Sequence, residues 1–103
     1  MRLKAGVRLV GVKPELVVGL TITDSIFSDY EQRLVVTAVV DGQHQSGSLH
    51  YPGMAFDARI AGIPQPILER ISAALKDGLG EDFDIVLELD HLHIEFQPKR
   101  RAT

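Results

Sequence analysis

Cysteine and tryptophan are both missing from the 103 residues of this chain. Without cysteine there is no disulfide, no thiol nucleophile and no sulfur ligand for zinc or an iron–sulfur cluster. Any metal site must therefore be built from histidine and carboxylate side chains.

Long apolar runs are absent too. No run approaches the ~20 residues of a membrane span, so we expect no membrane partner. The N-terminal segment also lacks the apolar stretch of about 7–15 residues that a signal peptide needs, which predicts synthesis in a cytoplasm without a secretion signal.

Charge is modest, with a formal net value of −3. The basic residues cluster only at 99–101, which argues against a nucleic-acid partner. With 45% hydrophobic and 24% charged residues, the composition is that of a globular protein. We expect one domain over 1–103, monomeric, with a flexible basic tail at about 98–103.

Hydrophobic periodicity predicts an α+β fold. Apolar residues spaced three or four apart after Pro14 indicate an amphipathic helix, and Pro64 and Pro66 open a second helix that Gly78 and Gly80 close. The predicted elements are an extended entry at 1–12, helices 14–29 and 66–78, and strands 34–40, 54–60, 83–89 and 91–96. The last two strands meet at a tight turn near Asp90. This order favours two helices packed on a small, mostly antiparallel sheet.

The four histidines lie in two segments, a turn-rich stretch at 41–53 and the last strand: His44, His50, His91 and His93. Loops as long as 41–53 are usually functional in a small domain. His91 and His93 are two apart, so they share a face of their strand. Two imidazoles and a carboxylate such as Asp57 would satisfy zinc, although separate histidines are more often solvated surface side chains.

Two linked motifs make the pattern specific. Residues 48–57 fit S-x-H-x-x-G-x-A-x-D without a gap, and residues 90–93 combine D-x-x-H with H-x-H. Over 34–96 the chain resembles the family of zinc D-Ala-D-Ala carboxypeptidases and L-alanyl-D-glutamate endopeptidases, whose fold is shared with the Hedgehog signalling domain. The resemblance implies a Hedgehog/DD-peptidase-like fold and one Zn²⁺ per chain.

Site roles follow from this resemblance residue by residue. It implies that His50, Asp57 and His93 bind the zinc ion. Asp90 corresponds to the general base that takes a proton from the attacking water and later gives it to the leaving amine. His91 is similar to a histidine that stabilises the transition state or supports the ligands.

Three further residues are candidates for substrate binding. His44 resembles a supporting histidine, and Ser48 resembles the hydroxyl that contacts the substrate or steadies the loop. Arg59 has the planar guanidinium that orients a carboxylate. Ser48 is equally typical of a turn, and Arg59 of a solvent-facing strand position, which is the reading we favour for it.

Other assignments stay open. Asp90 has the residue type of a simple turn. Glu88 forms a second E-x-x-H with His91, which would make Glu88 the base and His91 the ligand. We interpret Glu95 as a solvated strand charge rather than a fourth ligand.

One departure from the family concerns charge. Many members carry a Ser-Gly-aromatic-Arg stretch before the first ligand, whereas residues 37–43 here contain no basic residue.

The resemblance implies a peptidoglycan stem peptide as substrate, cut by a small phage-type hydrolase that acts on the cell wall after release or from a virion. The alternatives are an inactive zinc-stabilised binding module of the same fold, or a metal-free phage structural protein.

Overall fold

A computed structural model describes residues 1–41 and 54–98. Its strands pair in the order β1-β2-β3-β5-β4, and two helices complete the domain. The elements are β1 (Arg2–Leu3), α1 (Pro14–Asp29), β2 (Val35–Asp41), β3 (Met54–Arg59), α2 (Gln65–Leu79), β4 (Phe83–Leu87) and β5 (His91–Phe96). The predicted α+β class is confirmed.

The sheet is antiparallel except at one edge, where β1 runs parallel to β2. Of the extended entry predicted at 1–12, only the two residues of β1 form a strand. The strand predicted at 83–89 ends at Leu87, because the amide of Glu88 donates to the carbonyl of His91 at 2.9 Å and closes the hairpin. Glu88 therefore lies in the turn that precedes β5.

Both helices lie close to their predicted bounds. Pro14 occupies the first turn of α1, where its missing N–H costs no hydrogen bond. The second helix ends at Gly80, whose φ of 78° favours glycine, whereas Gly78 lies inside the helix rather than closing it. In the described ranges neither helix is long and apolar enough to cross a membrane.

One face of the sheet carries the core. The helices supply its buried residues Leu16, Leu20, Phe27, Leu68, Ile71 and Leu75, and the sheet supplies Val36, Phe56, Ala58, Leu92, Ile94 and Phe96. Because burial alternates along β5, the remaining residues of that strand lie on the opposite face. We call this opposite face, which bears Asp57, Arg59, His91, His93 and Glu95, the polar face.

A β-bulge in β2 changes which of its residues face the core. Val36 pairs with Ala58 and Ala38 with Asp57, so Thr37 is the extra residue on β2. The bulge lets Val36 and Val39, three residues apart, pack on the core side. The Thr37 hydroxyl contacts the carbonyl oxygen of Asp57 at 3.4 Å, so the irregularity adjoins the strand that carries a predicted zinc ligand.

Packing at Gly19 yields a first prediction. A Cβ at Gly19 would lie 2.7 Å from Cε2 of Phe83, whereas a Cβ at Gly78 would lie 3.1 Å from Cδ1 of Ile26, the end of a flexible side chain. We expect Gly19→Ala to lower the free energy of unfolding by about 1–2 kcal/mol, because overpacking outweighs the gain in helix propensity.

Gly78→Ala is the matched control. It should leave stability unchanged or raise it by up to about 1 kcal/mol, since the same propensity gain meets little steric cost. Urea titration of both variants measures the difference. Equal stabilities for the two variants would contradict the close approach of α1 to Phe83.

Candidate functional site

Asp57 and His93 are directly opposed on neighbouring strands. They are register partners on β3 and β5, and Oδ1 of Asp57 lies 2.8 Å from Nδ1 of His93. Both side chains are about one quarter exposed. The last residues of the two motifs, which are far apart in the sequence, thus meet on the polar face.

Glu95 contacts the second ring nitrogen of the His93 imidazole. Its Oε1 lies 3.0 Å from Nε2 of His93, and its side chain is 26% exposed. The interpretation of Glu95 as a solvated charge is therefore wrong. Glu95 and His93 share a face because they are two residues apart, and this spacing was the available sequence signal for the contact.

His91 lies between two carboxylates. Its Nδ1 is 2.6 Å from Oδ1 of Asp90, and its Nε2 is 3.7 Å from Oδ2 of Asp57. An ionised carboxylate only accepts hydrogen bonds, so Nδ1 of His91 donates to Asp90. Asp90 does lie in the turn before β5, but its carboxylate also positions an imidazole of the site.

These contacts shift two pKa values. Burial lowers the pKa of His93, but hydrogen bonds and charge attraction from Glu95 and Asp57 outweigh it and hold that pKa above its ordinary value. An imidazolium donates from both nitrogens, which suits a ring between two carboxylates. The hydrogen bond from His91 is the main reason that the pKa of Asp90 lies below its ordinary value, so Asp90 is ionised at neutral pH.

The fit to zinc can be tested on the two donors that the structure describes. Two atoms bound to one tetrahedral zinc ion lie about 3.3 Å apart for bonds of about 2.0–2.1 Å. The 2.8 Å between His93 Nδ1 and Asp57 Oδ1 is a hydrogen-bond distance, about 0.5 Å shorter than this separation, so the two atoms would move apart to share a zinc ion. Glu95 is placed to accept from the opposite ring nitrogen, as the carboxylate partner of a metal-binding histidine does. The two residues therefore have the donor types that zinc prefers, in an arrangement that is that of a hydrogen bond.

A third ligand is not found within residues 1–41 and 54–98, where no three histidine or carboxylate groups are arranged to hold a metal. His50, the ligand that the resemblance implies, lies outside the described residues. The same is true of His44, Ser48 and the basic tail at 99–103. Of the predicted site residues, the structure brings together Asp57, Asp90, His91 and His93.

Arg59 stands beside this group. It is the register partner of His91 and is exposed, as its sequence position suggested. It lines a depression on the polar face with Lys4, a residue that the sequence did not single out. The position of Lys4 depends on the parallel pairing of β1 with β2.

The chain was compared with known proteins at three levels. No family model, no curated protein and no solved structure matches it.

Proposed function

We propose that this protein is a zinc metallopeptidase that hydrolyses peptide bonds in the stem peptides of bacterial peptidoglycan. The reaction is of the D-Ala-D-Ala carboxypeptidase or the L-Ala-D-Glu endopeptidase type. The observation that carries the proposal is the 2.8 Å approach of Asp57 and His93. It joins residues of two motifs that resemble those of one family of zinc peptidases.

The zinc ion would be held by His93, Asp57 and His50. When bound, zinc would supply a water of lowered pKa and polarisation of the scissile carbonyl. Glu95 would accept the Nε2 proton of His93 and so leave the Nδ1 lone pair available to the metal.

Asp90 is suited to accept the proton of the attacking water. It is ionised at neutral pH, and its side chain is 85% exposed and open to a substrate. His91 engages one of its oxygens, which leaves the second oxygen for the proton that is later passed to the leaving amine. His91 itself, between Asp90 and Asp57, is placed to stabilise charge near the same point.

The proposed setting follows from the substrate. Peptidoglycan lies outside the cytoplasmic membrane, so the protein would act on the cell wall after release or from a virion. We propose that it works there as a monomer of the small phage type.

A digest of purified peptidoglycan tests this function. The protein is incubated with the polymer in zinc-containing buffer, with and without a chelator, and the products are identified by mass spectrometry. We expect zinc-dependent release of D-Ala or of cleaved stem peptides, and the masses identify the bond. Cleavage that persists in both the chelated protein and His93→Ala would rule out the zinc mechanism.

A zinc-stabilised binding module is the second candidate, and the lack of a basic residue at 37–43 favours it. In that case zinc would raise the melting temperature and the digest would contain no products. A metal-free structural protein is distinguished from both by metal analysis, because about one zinc per chain would exclude it.

Glu95 gives a prediction of its own. Glu95→Ala should weaken zinc affinity about 10–100-fold, because His93 loses the acceptor that fixes its ring. Glu95→Gln should restore much of the affinity, since its amide oxygen also accepts from Nε2. A competition titration with a chromophoric chelator measures both, and Glu88→Ala on the exposed hairpin turn is the control. Unchanged affinity in Glu95→Ala would contradict this positioning role.

A further inference from the structure

A depression of about 400 Å³ opens on the polar face next to Asp90. Clefts that take small ligands have volumes of about 300–1,000 Å³. The residues that line it come from four segments of the chain: Lys4, Thr37, Arg59, Ala61, Asp90 and His91.

Two positive side chains of this depression make no ion pair within the described residues. Lys4 and Arg59 are exposed, and within residues 1–41 and 54–98 neither side chain makes an ion pair. The nearby carboxylates contact histidines instead, since one oxygen of Asp90 lies against His91 and one oxygen of Asp57 lies against His93. The cations therefore have no acidic partner of their own in the described part of the site.

Backbone pairing positions the lysine. The amide of Lys4 donates to the carbonyl of Val36 at 2.8 Å, which sets Lys4 beside the bulged Thr37. A second depression of about 430 Å³ also includes Lys4 and Thr37 and reaches Arg8. Positive charge thus continues from Lys4 to Arg8 in the segment that follows β1.

We infer that the depression between Lys4 and Arg59 is a carboxylate-binding site. Lys4 supplies a mobile point charge, and Arg59 supplies a planar pair of donors that matches a carboxylate. The site would hold the terminal or side-chain carboxylate of the peptide and align the bond to be cut with Asp90. That the ligand is the substrate rests on the proposed function, whereas carboxylate binding itself does not.

An NMR titration of the full chain in zinc-containing buffer tests binding without turnover. The probes are N-acetyl-D-alanine and its uncharged counterpart, N-acetyl-D-alaninamide. We expect the acid to shift the amide signals of Lys4 and Ala61, and the amide probe to shift them little. Lys4→Gln and Arg59→Gln should each weaken binding of the acid about tenfold, because a charge-assisted hydrogen bond is lost.

Arg70→Gln is the matched control, because Arg70 is an exposed cation on α2, which packs on the core side of the sheet. It should leave the affinity for the acid within about twofold. Equal shifts with both probes, equal weakening in Arg70→Gln, or wild-type affinity in both Lys4→Gln and Arg59→Gln would overturn the site. The last result would also be obtained if the acid bound to zinc alone.

Kinetics separates this inference from the proposed function. For a peptide with a free carboxylate, Lys4→Gln should raise KM about tenfold and change kcat little. Hydrolysis with a wild-type KM in both Lys4→Gln and Arg59→Gln would overturn the carboxylate-binding site but would still support the proposed peptidase activity. Titration shifts that depend on Lys4, in a protein that hydrolyses nothing, would support the site and contradict the peptidase.

Discussion

His93→Ala is expected to abolish stoichiometric zinc binding and to lower peptidoglycan hydrolysis by at least about 10³-fold. The imidazole is the centre of the site, with Asp57 at 2.8 Å on one nitrogen and Glu95 at 3.0 Å on the other. Its loss removes a proposed ligand, and a metal contributes several kcal/mol of transition-state stabilisation, each 1.36 kcal/mol being about tenfold in rate. Metal analysis and the peptidoglycan digest measure the two effects.

Two further variants separate loss of the ligand from loss of the fold. Asp57→Asn keeps the shape of the side chain and should also lose zinc. Val86→Ala alters the edge-strand residue that pairs with His93 and should retain both zinc and activity. His93→Ala with full zinc content and wild-type hydrolysis would show that this imidazole is not a ligand.

Asp90→Asn is expected to lower kcat about 10²–10⁴-fold, the usual contribution of general acid–base catalysis, with zinc content unchanged. The amide oxygen of asparagine still accepts from Nδ1 of His91, so the turn should keep its geometry. What is lost is the oxygen that takes the proton. Steady-state kinetics on a soluble stem peptide measures the effect, and KM should change little.

Glu88→Gln is the control for Asp90 because it lies two residues away in the same exposed turn. We expect near wild-type activity from it. If Glu88→Gln were inactive and Asp90→Asn active, Glu88 would be the base, and His91 rather than His93 would become the expected ligand. If the wild type and Asp90→Asn both bound zinc and neither hydrolysed the peptide, the protein would be a binding module.

The elements of the fold were largely predictable, because each is encoded by local periodicity. The spacing of Leu16, Leu20 and Phe27 defines the buried stripe of α1, and alternation along β5 defines its two faces. Long-range pairing was not predictable in the same way. The parallel contact of β1 with β2 and the bulge at Thr37 leave no local signal in the sequence.

The site is predictable only in part, because its geometry depends on long-range strand pairing. The motifs predict that Asp57 and His93 are zinc ligands, and this role stays a prediction. In the structure the two residues are register partners on β3 and β5. The residue type of Glu95 favours a surface charge, although its spacing from His93 indicates the shared face on which the two side chains meet. No motif identifies Lys4, because its place near Arg59 depends on the pairing of β1 with β2.

Zinc titration of the metal-free protein, followed by hydrolysis of a stem peptide, tests whether Asp57 and His93 form a catalytic zinc centre. We expect no hydrolysis without metal and a linear rise in rate that reaches a plateau at about one zinc per chain. Asp57→Asn should stay inactive throughout the titration. Full hydrolysis by the metal-free protein, or a wild-type rate that does not respond to zinc, would contradict a zinc centre built on Asp57 and His93.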